Sequence, residues 1–190
     1  AVQFGDAAPH PWLRGDRPVL LAIGRLAPQK NFHTLLRAFA LLRGHMPARL
    51  IILGESRDDA RARLMAQGQD LGIADDLALP GTVANVFPWL ARCDAFVLPS
   101  WWEGSANVLL EAMAVDVPCV ASRSAGNAAQ LLDDGRYGVL VDPADAGAMA
   151  QALARQIDPA TQMRPGTRIE AFGMEAVSAA WAQLARVLLA

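Results

Sequence analysis

A chain of 190 residues suits one α/β domain with a full apolar core. Hydrophobic residues make up 53% and charged ones 19%, a balance that excludes a disordered chain. The net charge of −2 lacks the clustered Lys and Arg of a nucleic-acid binder, so no nucleic acid is expected as a partner.

Ala1–Arg17, rich in Pro, Gly and Asp, reads as a linker rather than an element. No signal peptide is read before the first strand. Val19–Ile23 is a continuous apolar run and predicts a strand buried on both faces. Gly24–Lys30 is a loop, and Asn31 is placed to cap a helix with Phe32, Leu35, Leu36, Phe39 and Leu42 on one face. Arg49–Leu53 reads as the second strand. A polar helix follows around Asp58–Asp70, its Arg57–Arg63 charges facing solvent. A short strand is expected at Leu77–Leu79, one or two helical turns at Phe87–Ala91, and a strand at Ala95–Leu98. Val108, Leu109, Ala112 and Met113 recur at helical spacing, so a helix starts near Asn107. Cys119–Ala121 and Val139–Val141 read as strands, Ala128–Leu132 and Asp145–Ile157 as helices. Val177, Trp181, Leu184 and Leu188 mark a last amphipathic helix within 170–190, packed on a domain spanning 18–169.

Alternating strands and helices joined by short loops predict an α/β, Rossmann-like fold. Six mostly parallel strands fit the doubly wound order 3-2-1-4-5-6, with helices on both faces. That order places a ligand crevice between the carboxyl ends of the first and fourth strands. The loops leaving those strands are Gly24–Lys30 and Pro99–Asn107, which hold the candidate chemistry. The second is a strand–loop–helix unit that points free N–H groups and a positive helix end at one spot, suited to phosphate. Glu103 and Glu111 bracket it, and carboxylates accept hydrogen bonds from sugar hydroxyls. The stretch reads as a site for a sugar attached to a phosphate.

Glu103-Gly…Glu111-Ala-Met-Ala resembles the E-x7-E signature of retaining family 4 glycosyltransferases of the GT-B fold. The fuller string Pro-Ser-x-x-Glu-Gly…Val-Leu-Leu-Glu-Ala-Met-Ala carries the resemblance further. Gly24-Arg-Leu-Ala-Pro-Gln-Lys30 is similar to the G-R-x-x-x-x-K loop of the same family. The resemblance implies that Arg25 and Lys30 hold the diphosphate of a nucleotide diphosphate sugar, the donor. Preorganised cations there stabilise the charge left on the β-phosphate when the sugar departs. With two cations and a helix N-terminus, no divalent metal and no cofactor are expected. Glu103 would contact the transferred sugar and Glu111 the ribose hydroxyls. Gly24 belongs to the same loop, and the backbone of Gly104, Ser105, Ala106, Asn107 and Val108 would serve phosphate and sugar. Pro80-Gly81-Thr82-Val83 resembles the loop that reads the base, with Thr82 and Val83 beside it; Gly81 reads nearly as well as an ordinary turn glycine.

Such enzymes carry two Rossmann-like domains, and this length holds one. The match is to the C-terminal, donor-binding half; the N-terminal, acceptor-binding domain is the implied partner, and peripheral membrane contact would run through it. The parent enzyme would move a hexose to a saccharide or lipid-linked acceptor, and the isolated domain is expected to be inactive. The alternative is a non-catalytic nucleotide-sugar-binding module acting with a separate acceptor-binding subunit. A Rossmann dehydrogenase is disfavoured because no G-x-G-x-x-G follows the first strand. Cys93 and Cys119 lack metal or redox spacing and read as reduced thiols of a cytoplasmic protein, at the membrane's inner face if anywhere near lipid. No run reaches the ~20 apolar residues that span a bilayer. His10, His33 and His45 show no ligand spacing, and packing is expected for at least one of Trp101 and Trp102. Three residues depart from the family pattern: Ser56, Asp116 at a left-handed helix end, and Gln130 where Glu is usual.

Overall fold

In the computed structural model, which describes residues 8–56, 58–176 and 178, six strands form one sheet. They are β1 (Val19–Ile23), β2 (Arg49–Leu53), β3 (Leu77–Gly81), β4 (Ala95–Leu98), β5 (Cys119–Ser122) and β6 (Val139–Val141). Their order is β3-β2-β1-β4-β5-β6, with every neighbouring pair parallel. This is the expected doubly wound order, and it reverses between β1 and β4.

The pleat decides which helix covers which face. Leu20, Ala22, Leu50, Ile52, Ala95, Val97 and Val120 face one side, under α1 (Phe32–Arg43), α2 (Ala60–Asp70) and α6 (Ala146–Ile157). Leu21, Ile51, Leu53, Phe96, Leu98, Cys119 and Ala121 face the other, under α3 (Phe87–Leu90), α4 (Asn107–Ala114) and α5 (Ala128–Leu131). Burial on both faces explains why the strands read as unbroken apolar runs. All five apolar residues expected on one face of α1 are buried.

Boundaries shift by one or two residues, as helix and strand ends do. β3 runs on through Pro80 and Gly81, because the N–H of Gly54 bonds the carbonyl of Gly81 at 2.9 Å. α6 begins at Ala146, since the Asp145 side chain caps it by accepting from Ala148 N–H. Pro11–Arg14, expected to be linker, forms a 3-10 turn whose Trp12 packs on the core beneath the Arg49 guanidinium, 5.1 Å from its ring centre. A longer 3-10 segment, Gly166–Phe172, was not expected and lies against α4. The last amphipathic helix marked by Val177, Trp181, Leu184 and Leu188 lies outside the described residues.

The amino end of the sheet is tied by charge. Asp76 accepts from Arg17 at 3.0 Å and Arg43 at 2.6 Å, and Asp94 accepts from Val19 N–H at 2.7 Å. Across the carboxyl end, two glycines allow the β1 and β2 loops to touch. Gly54 has φ +152°, and a Cβ there would lie 1.9 Å from the carbonyl oxygen of Gly24. Only glycine fits.

Candidate active site

The site grows from the β1 loop. A Cβ at Gly24 would meet Lys30 Cε at 2.9 Å, so the bare backbone lets the lysine stem lie flat across it. Lys30 Nζ then reaches Glu103 Oε1 at 2.6 Å, bridging the β1 and β4 loops across the switch point. Ser100 Oγ donates to the same oxygen at 2.6 Å, and Gln29 Nε2 to Oε2 at 3.4 Å. The side chains are 15% and 8% exposed for Lys30 and Glu103. A charge pair this shielded has shed much of its water, so each member depends on the other.

Side-chain amides fix the loop that carries Glu103. Gln29 donates from Nε2 to the Trp102 carbonyl at 2.9 Å, and its backbone carbonyl accepts from Trp101 N–H at 2.9 Å. Asn31 stands at the first position before α1, yet its side chain makes no bond to that helix. This corrects the expected cap. Its backbone is left-handed, φ +55°, and Nδ2 donates to the carbonyls of Pro99 at 3.0 Å and Pro143 at 2.8 Å. Asparagine tolerates that conformation better than most residues. One buried amide therefore ties the β1, β4 and β6 loops together.

Arg25 is exposed, and its guanidinium has no ion-pair partner among the described residues. Glu111, on α4, is half-buried and likewise has no side-chain partner there; burial pushes its carboxyl above the usual range. Ala106 precedes α4 without a capping side chain. Within the loop and first turn, the N–H groups of Gly104, Ser105, Asn107 and Val108 find no acceptor among the described residues. Ala106 differs from that expectation, because its N–H already donates to Asn127 Oδ1 at 3.0 Å. Thr82 lines a recess of about 120 Å³ at the ends of β2 and β3 with Leu26, Gly54, Glu55, Ser56 and Leu79. Val83 instead turns partly onto the core beneath α3.

Arg25, Lys30, Glu103, Glu111 and the α4 amides, all legible in the motifs, lie at one end of the sheet. Gln29, Asn31, Ser100 and Asn127, which hold that end in shape, were not among the expected site residues. Ser100 was visible in the Pro-Ser-x-x-Glu string; nothing local marked Asn127, 21 residues from Ala106. Both tryptophans are exposed, Trp101 at 38% and Trp102 at 59%. The loop holds them through their backbones, which leaves their rings outside the core. Asp116 does take the left-handed conformation, φ +56°, and its Oδ1 is engaged by Gly166 N–H at 2.8 Å. Ser56 Oγ accepts from Arg61 N–H at 3.1 Å, and Gln130 is exposed. Among the described residues, no helix is long and apolar enough to cross a membrane.

A doubly wound, six-stranded parallel sheet in this order has the Rossmann-like layout of GT-B glycosyltransferases. The chain belongs to the Glycosyl transferases group 1 family, which matches residues 17–158. It is 34% identical over 175 residues to a lipopolysaccharide core biosynthesis glycosyltransferase of Rhizobium meliloti, covering 89% of this chain and 50% of that protein. Sucrose-phosphate synthase of Thermosynechococcus elongatus superposes with a TM-score of 0.77 at 30% identity, over 92% of this chain and 46% of that one. Anabaena HepE, solved with UDP and glucose, gives 0.76 at 26% identity over 90% and 48% of the two chains. The chain thus spans about half the length of the relatives it matches.

Proposed function

We propose that this chain is the donor-binding, C-terminal half of a retaining glycosyltransferase and holds a nucleotide diphosphate sugar at the switch point. The observation that carries the reading is the Lys30–Glu103 pair at 2.6 Å between the two loops where the strand order reverses. Lys30 and Arg25 would face the diphosphate, one a point charge and the other a fork of donors. When the bond from the anomeric carbon to the β-phosphate oxygen breaks, the electron pair stays on that oxygen, and the two cations stabilise it. No metal is required for that role. The free N–H groups at the start of α4 would add further donors. Glu103 would accept from the sugar and Glu111 from the ribose hydroxyls.

The fit of HepE, a protein solved with UDP and glucose, supports this reading of the same fold. A hexose is the sugar class in view, passed to a saccharide or lipid-linked acceptor on a second domain, on the cytoplasmic side. Calorimetric titration of the chain with UDP, GDP, ADP and their glucose conjugates tests the proposal. Saturable binding of at least one diphosphate is expected; binding of none would end the donor reading.

A further inference from the structure

We infer that Asn127, in the loop between β5 and α5, is a positioning residue for the loop 103–108, an inference resting on the donor-binding reading above. Its Oδ1 accepts the Ala106 N–H at 3.0 Å. Ala106 is buried and stands at the capping position of α4, where alanine offers no acceptor of its own. A Ser, Thr, Asn or Asp there would fold back and consume one of the first N–H groups of the helix. Asn127 instead fixes the residue before the helix from outside. The amides of Asn107 and Val108 stay open while their direction is set.

Two further observations point the same way. Asn127 is itself at the capping position of α5, yet its side chain makes no bond to that helix. It shares this with Asn31 at the start of α1. Both asparagines leave the role their position favours and spend their amides on loop 99–106, from opposite sides. Next to Asn127, Gly126 has φ +57°, and a Cβ there would lie 3.0 Å from the Glu103 carbonyl and 3.1 Å from its Cβ. The dipeptide 126–127 thus abuts the loop at Glu103 and grips it at Ala106. The carboxylate for the sugar and the amides for the phosphate are held in one frame.

The test combines amide hydrogen exchange by NMR with titration of UDP, GDP and ADP into the 190-residue chain. In Asn127→Ala, the Ala106 amide should exchange about tenfold faster, the size expected for one lost hydrogen bond. Val97 and Val120, in the sheet, should keep their rates. Asn127→Asp, which retains the acceptor, should restore protection at Ala106. The affinity of Asn127→Ala for the best-bound diphosphate should fall about tenfold, with the parent nucleoside unaffected. Unchanged exchange at Ala106, equal acceleration at Val97 and Val120, or an unchanged diphosphate affinity would each overturn the role. If the wild type binds none of the three diphosphates, the donor reading fails first and the role falls with it.

Discussion

Lys30 Nζ and Glu103 Oε1 lie 2.6 Å apart, so the cation assigned to phosphate and the carboxylate assigned to sugar neutralise each other. A diphosphate that takes Lys30 must draw it from Glu103, which frees the carboxylate for the sugar. On the proposed donor reading, diphosphate and sugar contacts would be coupled through this exchange. Glu103→Gln should therefore tighten nucleoside diphosphate binding by about three- to tenfold, a competition on the order of 1 kcal/mol. The same variant should lose whatever affinity an attached sugar adds. Weaker diphosphate binding by Glu103→Gln in calorimetry would show that the pair does not compete with phosphate.

Arg25 and Lys30 are predicted to act on the phosphates alone. Arg25→Ala or Lys30→Ala should weaken nucleoside diphosphate binding about tenfold or more while leaving the nucleoside unchanged, since each removes one cation. The Lys30 change carries a second signature. It strands Glu103 without its partner, so the melting temperature should fall further than for the exposed Arg25. Equal losses for nucleoside and diphosphate would place both residues elsewhere.

Glu111 links pH to stability. Burial raises its carboxyl in the folded chain, so ionisation opposes folding. Below the ordinary glutamate range the group is neutral in both states, and its penalty vanishes; as pH rises through the folded value, the penalty grows to its full size. Glu111→Gln removes it. The variant should melt on the order of 1–2 °C higher at neutral pH and level with wild type near about pH 3.5. It should also stop distinguishing a nucleotide from its 2′,3′-dideoxy form if Glu111 reads the ribose. A variant that still discriminates as wild type does would refute that assignment.

Gly54→Ala tests the crossing of the β1 and β2 loops. A Cβ at 1.9 Å from the Gly24 carbonyl, on a backbone at φ +152°, cannot be absorbed by a side-chain rotation. A loss of about 3 kcal/mol or more in urea unfolding is expected, at the upper end for single substitutions. A loss under about 1 kcal/mol would mean that the two loops part easily.

Transfer requires an acceptor hydroxyl about 3–3.5 Å from the anomeric carbon with water kept out. On the proposed reading a second domain would supply both. The isolated chain should bind a nucleotide diphosphate sugar and transfer nothing in a radiolabelled assay with pooled saccharide acceptors. Multiple turnovers would refute the half-enzyme reading.

The strand order was readable because strands covered on both faces leave continuous apolar runs, as at Val19–Ile23 and Arg49–Leu53. The charged residues were readable because each lies in a short motif after a strand. What the sequence hid was the long-range partners of the side-chain amides. Asn31 looks like a helix cap, since its neighbours in sequence say nothing of Pro99 and Pro143. Ala106 looks like a free amide because Asn127 arrives from the loop after β5. Packing was expected for at least one of Trp101 and Trp102, beside a buried loop, while loop geometry holds both out. Local pattern gives the elements and their polarity; the partners of a side-chain amide depend on which loops the sheet order brings together.

Asn31 has a practical consequence. Its amide joins loops from three strands, with Gln29 and Asn127 gripping the middle one from either flank. Were the Pro99–Asn107 segment exchanged with that of a relative to change sugar preference, it would arrive without the partners shaped for it. The transplantable unit is the segment together with positions 29, 31, 126, 127 and 143. Specificity in this scaffold would be inherited as a set of loops.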